Sequence, residues 1–438
     1  MIGYYFRLAL RSLRRTPVMT ALMVCAIGLG IGASMTMLTV LHVMTQDPIP
    51  EKSGVLFYPH LDPLPLKYPD GGRWGNPSNN FTYPDAMALL AHGRATHQAA
   101  MAGGRLLVWP TKATARPNYY EGRFTTADFF AMFQVPFEHG QGWTAHEDDA
   151  HARVAVLGHD LAVKLYGTTD VVGRTVRLKD TLFRVVGVTA PWSPQPRFYA
   201  DLGSSDSFGQ SDAFFLPLSV AVELQFDISG NQSSWAESDM EDVLKSPSSS
   251  WLQFWVELDT PQQVADYTRF LHDYAAQQHA SGRFERDPQT VRLYPLMDWL
   301  AYRKLVPSEV QLQLWLALGF LLVCLVNIIA LLLAKFLRRG NEIGVRRALG
   351  ARGRDILVQL GTEAALIGLS GGLLGIALSQ LGLWSVRQRP DDYARIAQMD
   401  ASMLFSTVTL AVVATLLAGL LPAWRASRIS PALQINGV

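Results

Sequence analysis

The sequence predicts a membrane protein of four transmembrane α-helices, with a large α/β domain inserted between the first and the second. Three observations carry that prediction. Charged residues make up only 17% of the 438 positions and hydrophobic ones 49%, whereas a soluble chain carries about 25% charge. The mean hydropathy of +0.12 is high for a soluble chain and low for one wholly in lipid. The apolar residues also gather in four windows, and the segments between those windows differ sharply in charge. The apolar fraction excludes intrinsic disorder, and two cysteines exclude a disulfide scaffold. A net charge of +1 leaves no overall nucleic-acid footprint.

Residues 1–17 open the chain as a basic amphipathic stretch. On a helix, Tyr5, Phe6, Ala9, Leu10 and Leu13 share an apolar flank and Arg7, Arg11, Arg14 and Arg15 take the other. Such a helix lies in the membrane interface, or its charges serve only to set topology. Residues 18–44 follow with 27 positions and no Asp, Glu, Lys or Arg. A signal-peptide core is about 7–15 residues long, and Gly32, Ala33 and Ser34 lie well inside this window. It is therefore expected to stay as the first span.

Residues 45–309 form the inserted domain, with 22 basic and 31 acidic residues and no cysteine. Arg153–Leu157 has the pattern of a short buried strand, and Gly173–Val188 alternates on both sides of Lys179-Asp180, which predicts a hairpin. Thr125–Phe133 and Pro261–Ala280 carry helical spacing, the second through Val264, Tyr267, Phe270, Leu271 and Tyr274. Breaker-rich runs at Pro191–Pro196, Ser204–Ser211 and Ser246–Ser250 suggest an inserted subdomain near 190–250. Eight of the 11 Trp lie in this domain. They fit core packing better than a binding surface, since aromatic side chains dominate cores.

Residues 310–334 supply the second span, 356–386 the third and 403–424 the fourth, each near or above the roughly 20 residues a bilayer requires. The third contains one carboxylate, Glu363: a gating or pairing charge, or a residue at the interface where the helix emerges. Asn327 in the second is able to bond across helices. The connecting segment 335–355 is strongly basic, 387–402 is a short balanced loop, and 425–438 is a basic tail. The pre-span segment, 335–355 and the tail together hold 13 basic and 2 acidic residues. The positive-inside bias places those three segments in the cytoplasm and residues 45–309 outside it.

Catalytic motifs are scarce. His146 and His151 stand five apart, not the four that puts two histidines on one helix face, so the acidic run between them suits a solvated patch better than a metal site. There is no G-x-S-x-G elbow, no cysteine outside the spans and no G-x-x-x-x-G-K-[ST] phosphate loop. The chain is expected to be no enzyme by itself and to bind no metal. The pairs Gly28/Gly32, Gly368/Gly372 and Gly371/Gly375 space small residues four apart within spans, as close helix packing requires.

Asn341–Ile356 (NEIGVRRALGARGRDI), Gly361–Gly375 (GTEAALIGLSGGLLG), Pro422–Ile435 (PAWRASRISPALQI) and Leu8–Gly32, together with Arg153–Gly167 and Val172–Val188 inside the large domain, resemble the MacB/FtsX-type permeases of ABC transporters, the type VII class. The resemblance implies a periplasmic core domain and a bacterial inner membrane location. It further implies two permeases, identical or paralogous, each bound to a cytoplasmic ABC ATPase through the loop between spans two and three. The coupling helix then maps onto Glu342, Ile343, Gly344, Arg346, Arg347, Ala348, Leu349 and Gly350. ATP and Mg would be held by the partner ATPase, with no cofactor on this chain. Because the chain starts at the amphipathic stretch, the ATPase is expected to be a separate polypeptide. A periplasmic adaptor, an outer-membrane channel and membrane lipid complete the expected partners; nucleic acid is not among them. The expected function is export of a drug, peptide or lipid-like substrate. The alternatives are a mechanotransmission module controlling an envelope hydrolase or lipoprotein extraction, and, more remotely, a membrane sensor.

Overall fold

A computed structural model of the chain describes residues 2–68, 77–110, 116–202, 205–236, 240–306, 308–339, 342, 345–346, 349–388, 399 and 401–427. It divides into two compact units: Met1–Thr45 with Val306–Val438, and Gln46–Leu305.

In the first unit four helices are long and apolar enough to cross a membrane: Pro17–Thr45, Ser308–Leu337, Gly353–Arg387 and, within Ala401–Ser427, the stretch Met403–Leu420. Each exceeds or nearly matches the ~20-residue requirement. Their shared core joins Met23, Ile27, Ile31 and Met35 of the first to Leu321, Ile328, Leu332 and Phe336 of the second, to Ile356, Leu360 and Ile367 of the third, and to Ala411 and Ala418 of the fourth. The third helix is the hub. It packs against both the first and the fourth, and the amphipathic helix Ile2–Arg15 packs chiefly on it.

The second unit is built on one 13-stranded sheet. Its strands are β1 (Leu56–His60), β2 (Phe81–Thr82), β3 (His97–Trp109), β4 (Asn118–Thr125), β5 (Phe137–Gly140), β6 (Val154–Leu157) and β7 (Thr175–Leu178). They continue with β8 (Thr181–Thr189), β9 (Phe214–Pro217), β10 (Ile228–Ser229), β11 (Ser233–Ser234), β12 (Ser249–Glu257) and β13 (Arg292–Pro295). The main path runs β13-β1-β12-β3-β4-β9-β6-β8-β5, antiparallel except at β4/β9 and β6/β8. Strands β7 and β8 form the expected hairpin, with Leu178 opposite Thr181 and Lys179 in a left-handed conformation at φ +52° that fits a two-residue turn. The helix Pro261–Ala280 starts at a capping box between Thr260 and Gln263 and buries Tyr267, Phe270, Leu271 and Tyr274.

Two expectations about this unit are corrected. Only Phe129–Met132 of the 125–133 stretch is helical, because Thr125 is the last residue of β4. Residues 190–250 make no separate subdomain: β9 sits between β4 and β6, and Phe198, Tyr199, Phe214 and Phe215 belong to the same core as Phe124 and Trp255. The breaker-rich runs are loops that carry the chain across one sheet. Trp251, Trp255 and Trp299 are fully buried in that core, as packing residues.

Candidate functional site

The segment 335–355 is partly helix at both ends. Lys335 and Phe336 lie in the last turns of the second span, and the third begins at Gly353, where the Arg352 amide donates to Asp355 Oδ2 at 3.1 Å. Between them Glu342, Val345 and Arg346 are helical. The Leu349 amide donates to the Val345 carbonyl at 3.0 Å, and Gly350 takes φ +98° just beyond. A left-handed glycine there ends a helix without the penalty a side chain would meet. Val345 and Leu349 are exposed, Leu349 by 83%. Ile343, Gly344, Arg347 and Ala348 lie outside the described residues, as do most of 387–402 and the tail from 428.

What anchors this segment is a chain of charges that reaches two other helices. Arg346 pairs with Glu342 at 3.0 Å and donates to Gln359 Oε1 of the third span at 2.9 Å. Glu342 in turn accepts from Arg339 Nε and Nη2 at 3.1 and 3.0 Å. The same guanidinium donates through Nη1 to Glu363 Oε2 at 3.1 Å and to Ser12 Oγ at 2.8 Å. Ser12 Oγ donates its own hydrogen bond to Glu363 Oε1 at 2.8 Å, and Lys335 pairs with that carboxylate as well. Glu363 is fully buried and Lys335 nearly so. A charge so far from water is retained only when paired and hydrogen-bonded, and both conditions hold. Glu363 is therefore a pairing charge between helices, at the level where Ser12 of the amphipathic helix and Arg339, just past the second span, reach it. It lies ten residues into its helix, about 15 Å along the axis at 1.5 Å per residue.

Ser12 adds a buried polar contact to the amphipathic helix. The face turned into the bundle carries Tyr5, Leu8, Ala9 and Ser12, and Tyr5 Oη donates to Asp355 at 3.4 Å. Phe6 and Leu10 of the apolar flank are exposed, as are Arg7 and Arg11. A polar residue occupies the buried face because its partner, 351 positions away in the chain, demands it. No local periodicity carries that signal.

The spaced glycines sit where helices meet. A methyl at Gly28 would come 2.7 Å from Leu374 Cγ, and one at Gly32 2.8 Å from Leu378 Cβ. Facing them, a methyl at Gly371 would come 2.5 Å from Ile27 Cγ2, and one at Gly375 3.2 Å from Ile31 Cγ2. Gly368 and Gly372 turn to the fourth helix, where a methyl would meet Thr415 Oγ1 at 2.9 Å and Ala411 Cβ at 3.0 Å. Ser379 Oγ reaches the Gly32 carbonyl across the same seam at 3.2 Å and the Gly375 carbonyl of its own helix at 2.8 Å. Asn327 is exposed on the outward face of the second span.

In the sheet unit the acidic run 146–151 is occupied by structural bonds. Glu147 closes a capping box with Thr144, and Asp148 accepts from the Ala127 amide and Trp143 Nε1. His151 pairs with Glu223 at 2.7 Å. Burial pushes the Asp148 carboxyl up to about 6. The sheet unit also holds Asp212 between Arg123 at 2.9 Å and Arg197 at 2.6 Å, all three buried. Burial alone would raise that carboxyl; the two guanidiniums hold it below the usual range.

Residues 20–269 match the MacB-like periplasmic core domain and residues 315–431 the FtsX-like permease C-terminal. Among curated relatives, the chain is 26% identical over 309 residues to the pyoverdine export ATP-binding/permease protein PvdT of Pseudomonas aeruginosa, covering 69% of this chain and 40% of that one. It is 25% identical over 384 residues to the macrolide export ATP-binding/permease protein MacB of Marinobacter nauticus, covering 84% and 51%. The chain thus spans about half the length of the curated relatives it matches. Among solved structures, the periplasmic region of MacB from Actinobacillus actinomycetemcomitans aligns at 15% identity with a TM-score of 0.35, over 57% of this chain and 94% of that one.

Proposed function

This chain belongs to the MacB-like periplasmic core domain family, joined to an FtsX-like permease C-terminal, and from that membership we propose that it is the permease part of an exporter driven by an ABC ATPase. It is a multi-pass membrane protein of the ABC transporter class with an extracytoplasmic domain. In our reading the membrane is the bacterial inner membrane. The termini and the 335–355 segment face the cytoplasm, following the 13 basic and 2 acidic residues gathered in those segments.

The observation that carries the reading is the charge chain Arg346–Glu342–Arg339–Glu363, with Ser12 and Lys335 joined to it. Charge-assisted hydrogen bonds to the buried Glu363 contribute about 1.5–3 kcal/mol each, and the partly exposed pairs at Glu342 about 0.2–1 kcal/mol. A push on the 342–346 turn therefore moves the second span, the third span and the amphipathic helix together. That is what a coupling element requires: it converts a local displacement by the ATPase into rigid-body motion of the bundle. ATP and Mg reside on the ATPase, and this chain supplies the lever. A second permease, identical or paralogous, would cover the exposed face of the second span, where Asn327 otherwise sets an amide against hydrocarbon. The names of the relatives suggest pyoverdine and macrolides as first probes for cargo; an adaptor and an outer-membrane channel, expected from the sequence resemblance, are further partners to seek.

The test is Arg346→Glu combined with Arg347→Glu, assayed for insertion, ATPase co-purification and ATP-driven export. The expected outcome is normal insertion with loss of ATPase capture and of export. Wild-type export in that variant would overturn the coupling assignment.

A further inference from the structure

At the foot of the bundle the amphipathic helix, the end of the second span and the start of the 335–355 segment enclose a cavity of about 300 Å³. Its wall presents Arg11, Arg15, Lys335, Arg338, Arg339 and Arg346, against one carboxylate, Glu342, among the described residues. Three of these cations are already engaged: Lys335 with Glu363, Arg339 with Glu342 and Glu363, Arg346 with Glu342. The other three, Arg11, Arg15 and Arg338, have no side-chain partner among the described residues, and all three are exposed. Thr16 adds a buried hydroxyl that also lacks one. The remaining wall is apolar, from Leu8 and Met19. Met19 belongs to the first span, where the neighbouring Val18 and, one turn on, Leu22 are 71% and 55% exposed.

We propose that this cavity is a binding site for the headgroup of an anionic phospholipid, with the phosphate on Arg11, Arg15 and Arg338 and the acyl chains along Val18 and Leu22. The charge excess calls for an anion, and guanidiniums match phosphate oxygens in forked geometry. The apolar path from the cavity into the hydrocarbon layer selects a lipid over a free ion. Basic pockets at the ends of membrane helices hold lipid headgroups for the same two reasons. An occupied site would tie the amphipathic helix to the second span through a ligand, beside the direct bond from Arg339 to Ser12. The inference rests on the four helices crossing a bilayer and does not depend on the ATPase assignment.

The test uses the full chain, purified in detergent and delipidated, with palmitoyl-oleoyl phosphatidylglycerol titrated against the phosphatidylcholine of the same chains and bound lipid counted by native mass spectrometry. Phosphatidylglycerol should bind in preference. Arg15→Gln with Arg338→Gln should weaken it about thirtyfold, at roughly 1 kcal/mol per charge. Neither side chain has a partner among the described residues, so the helical fold, checked by circular dichroism, should be kept. Arg7→Gln with Arg14→Gln removes the same charge from the same region outside the cavity and should leave binding at the wild-type level. Equal weakening by both pairs would reduce the site to diffuse surface charge and overturn the proposal. So would equal affinity for phosphatidylcholine, or displacement of the lipid by an equimolar amount of inorganic phosphate. A variant in the first pair that keeps the lipid and loses only the ATPase would reassign the cavity to protein docking.

Discussion

Each unit of the molecule buries one carboxylate between two cations, and the two triads end differently. In the sheet unit, Arg123, Asp212 and Arg197 are 3% exposed or less, and the Arg123 guanidinium lies 4.7 Å over the Tyr199 ring. That triad closes on itself. In the helix unit, Lys335 and Arg339 flank Glu363, but Arg339 is 20% exposed and continues to Glu342 and Arg346. That triad is open at one end, and the open end is the segment between spans two and three. The same stoichiometry thus serves two purposes. A closed set fixes a core, whereas an open one lets a displacement at its end reach the buried carboxylate.

The largest expected effect breaks the closed triad. Asp212→Ala leaves two buried guanidiniums without a counter-charge, and removing one partner of a buried pair costs about 3–5 kcal/mol. Thermal unfolding of the full chain, with hydrogen exchange read on β4 and β9, should show that loss in the sheet unit. Glu363→Gln should cost less, about 1–3 kcal/mol, because the amide oxygen keeps an acceptor for buried Lys335, and Arg339 keeps Glu342 and a path to water. Its main effect should be on ATP-driven export. A Glu363→Gln variant as unstable as Asp212→Ala, yet exporting normally, would make the two triads equivalent and erase the distinction.

Much of this was legible from composition, and the rest fails to show for a definable reason. The four spans follow from windows without charge, and the β7–β8 hairpin and the Pro261–Ala280 helix from local periods. The position of β9 between β4 and β6 joins strands about 60 to 90 residues apart, and no local pattern encodes such a register. The aromatic spacing of 125–133 marks only the one-turn helix Phe129–Met132, since Phe129, Phe130 and Phe133 cluster after the strand has ended at Thr125. At the candidate site, Glu363 stands out as a lone acid in an apolar window. Its partners do not, since Lys335 and Arg339 read as topogenic charge and Ser12 as a neutral helix residue.

The next effect concerns acid. In the sheet unit, burial, reinforced by the charges of Arg303 and Arg292, lowers His60 to about 4 from its ordinary 6.5. The unfolded chain binds the extra proton between those values, so stability is complete above pH 6.5 and lost as pH falls toward 4, by up to about 3 kcal/mol. Asp148, raised to about 6, works in the opposite sense: its contribution is complete below the ordinary carboxylate range and lost as pH rises through 6. Between pH 4 and 6 the two oppose each other. Relative to the parent chain, His60→Asn should make the sheet unit gain stability on acidification, and Asp148→Asn should make it lose more. Melting curves across that range check both signs. A matching shift for the two variants would show that one of these groups titrates normally.

The smallest effect sharpens a second contrast, in how the two units fill space. The sheet unit is packed with Trp251, Trp255, Trp299 and a run of Phe side chains, as water-driven burial favours. Lipid tails are as apolar as the helices they surround, so the helix unit gains nothing from sheer bulk and depends on close approach. Its seams are made of absent side chains: Gly28 and Gly32 against Gly371 and Gly375. Gly371→Ala should therefore force Ile27 aside and cost about 1–3 kcal/mol as overpacking. Gly361→Ala in the same helix meets no atom within 4 Å and should be neutral or slightly stabilising, since alanine is the better helix former. Comparing the two in detergent melts isolates the seam from helix propensity. If both alanines stabilise alike, the first and third spans are not held by that close approach, and their contact in the bundle must rest on Ser379 and the apolar core instead.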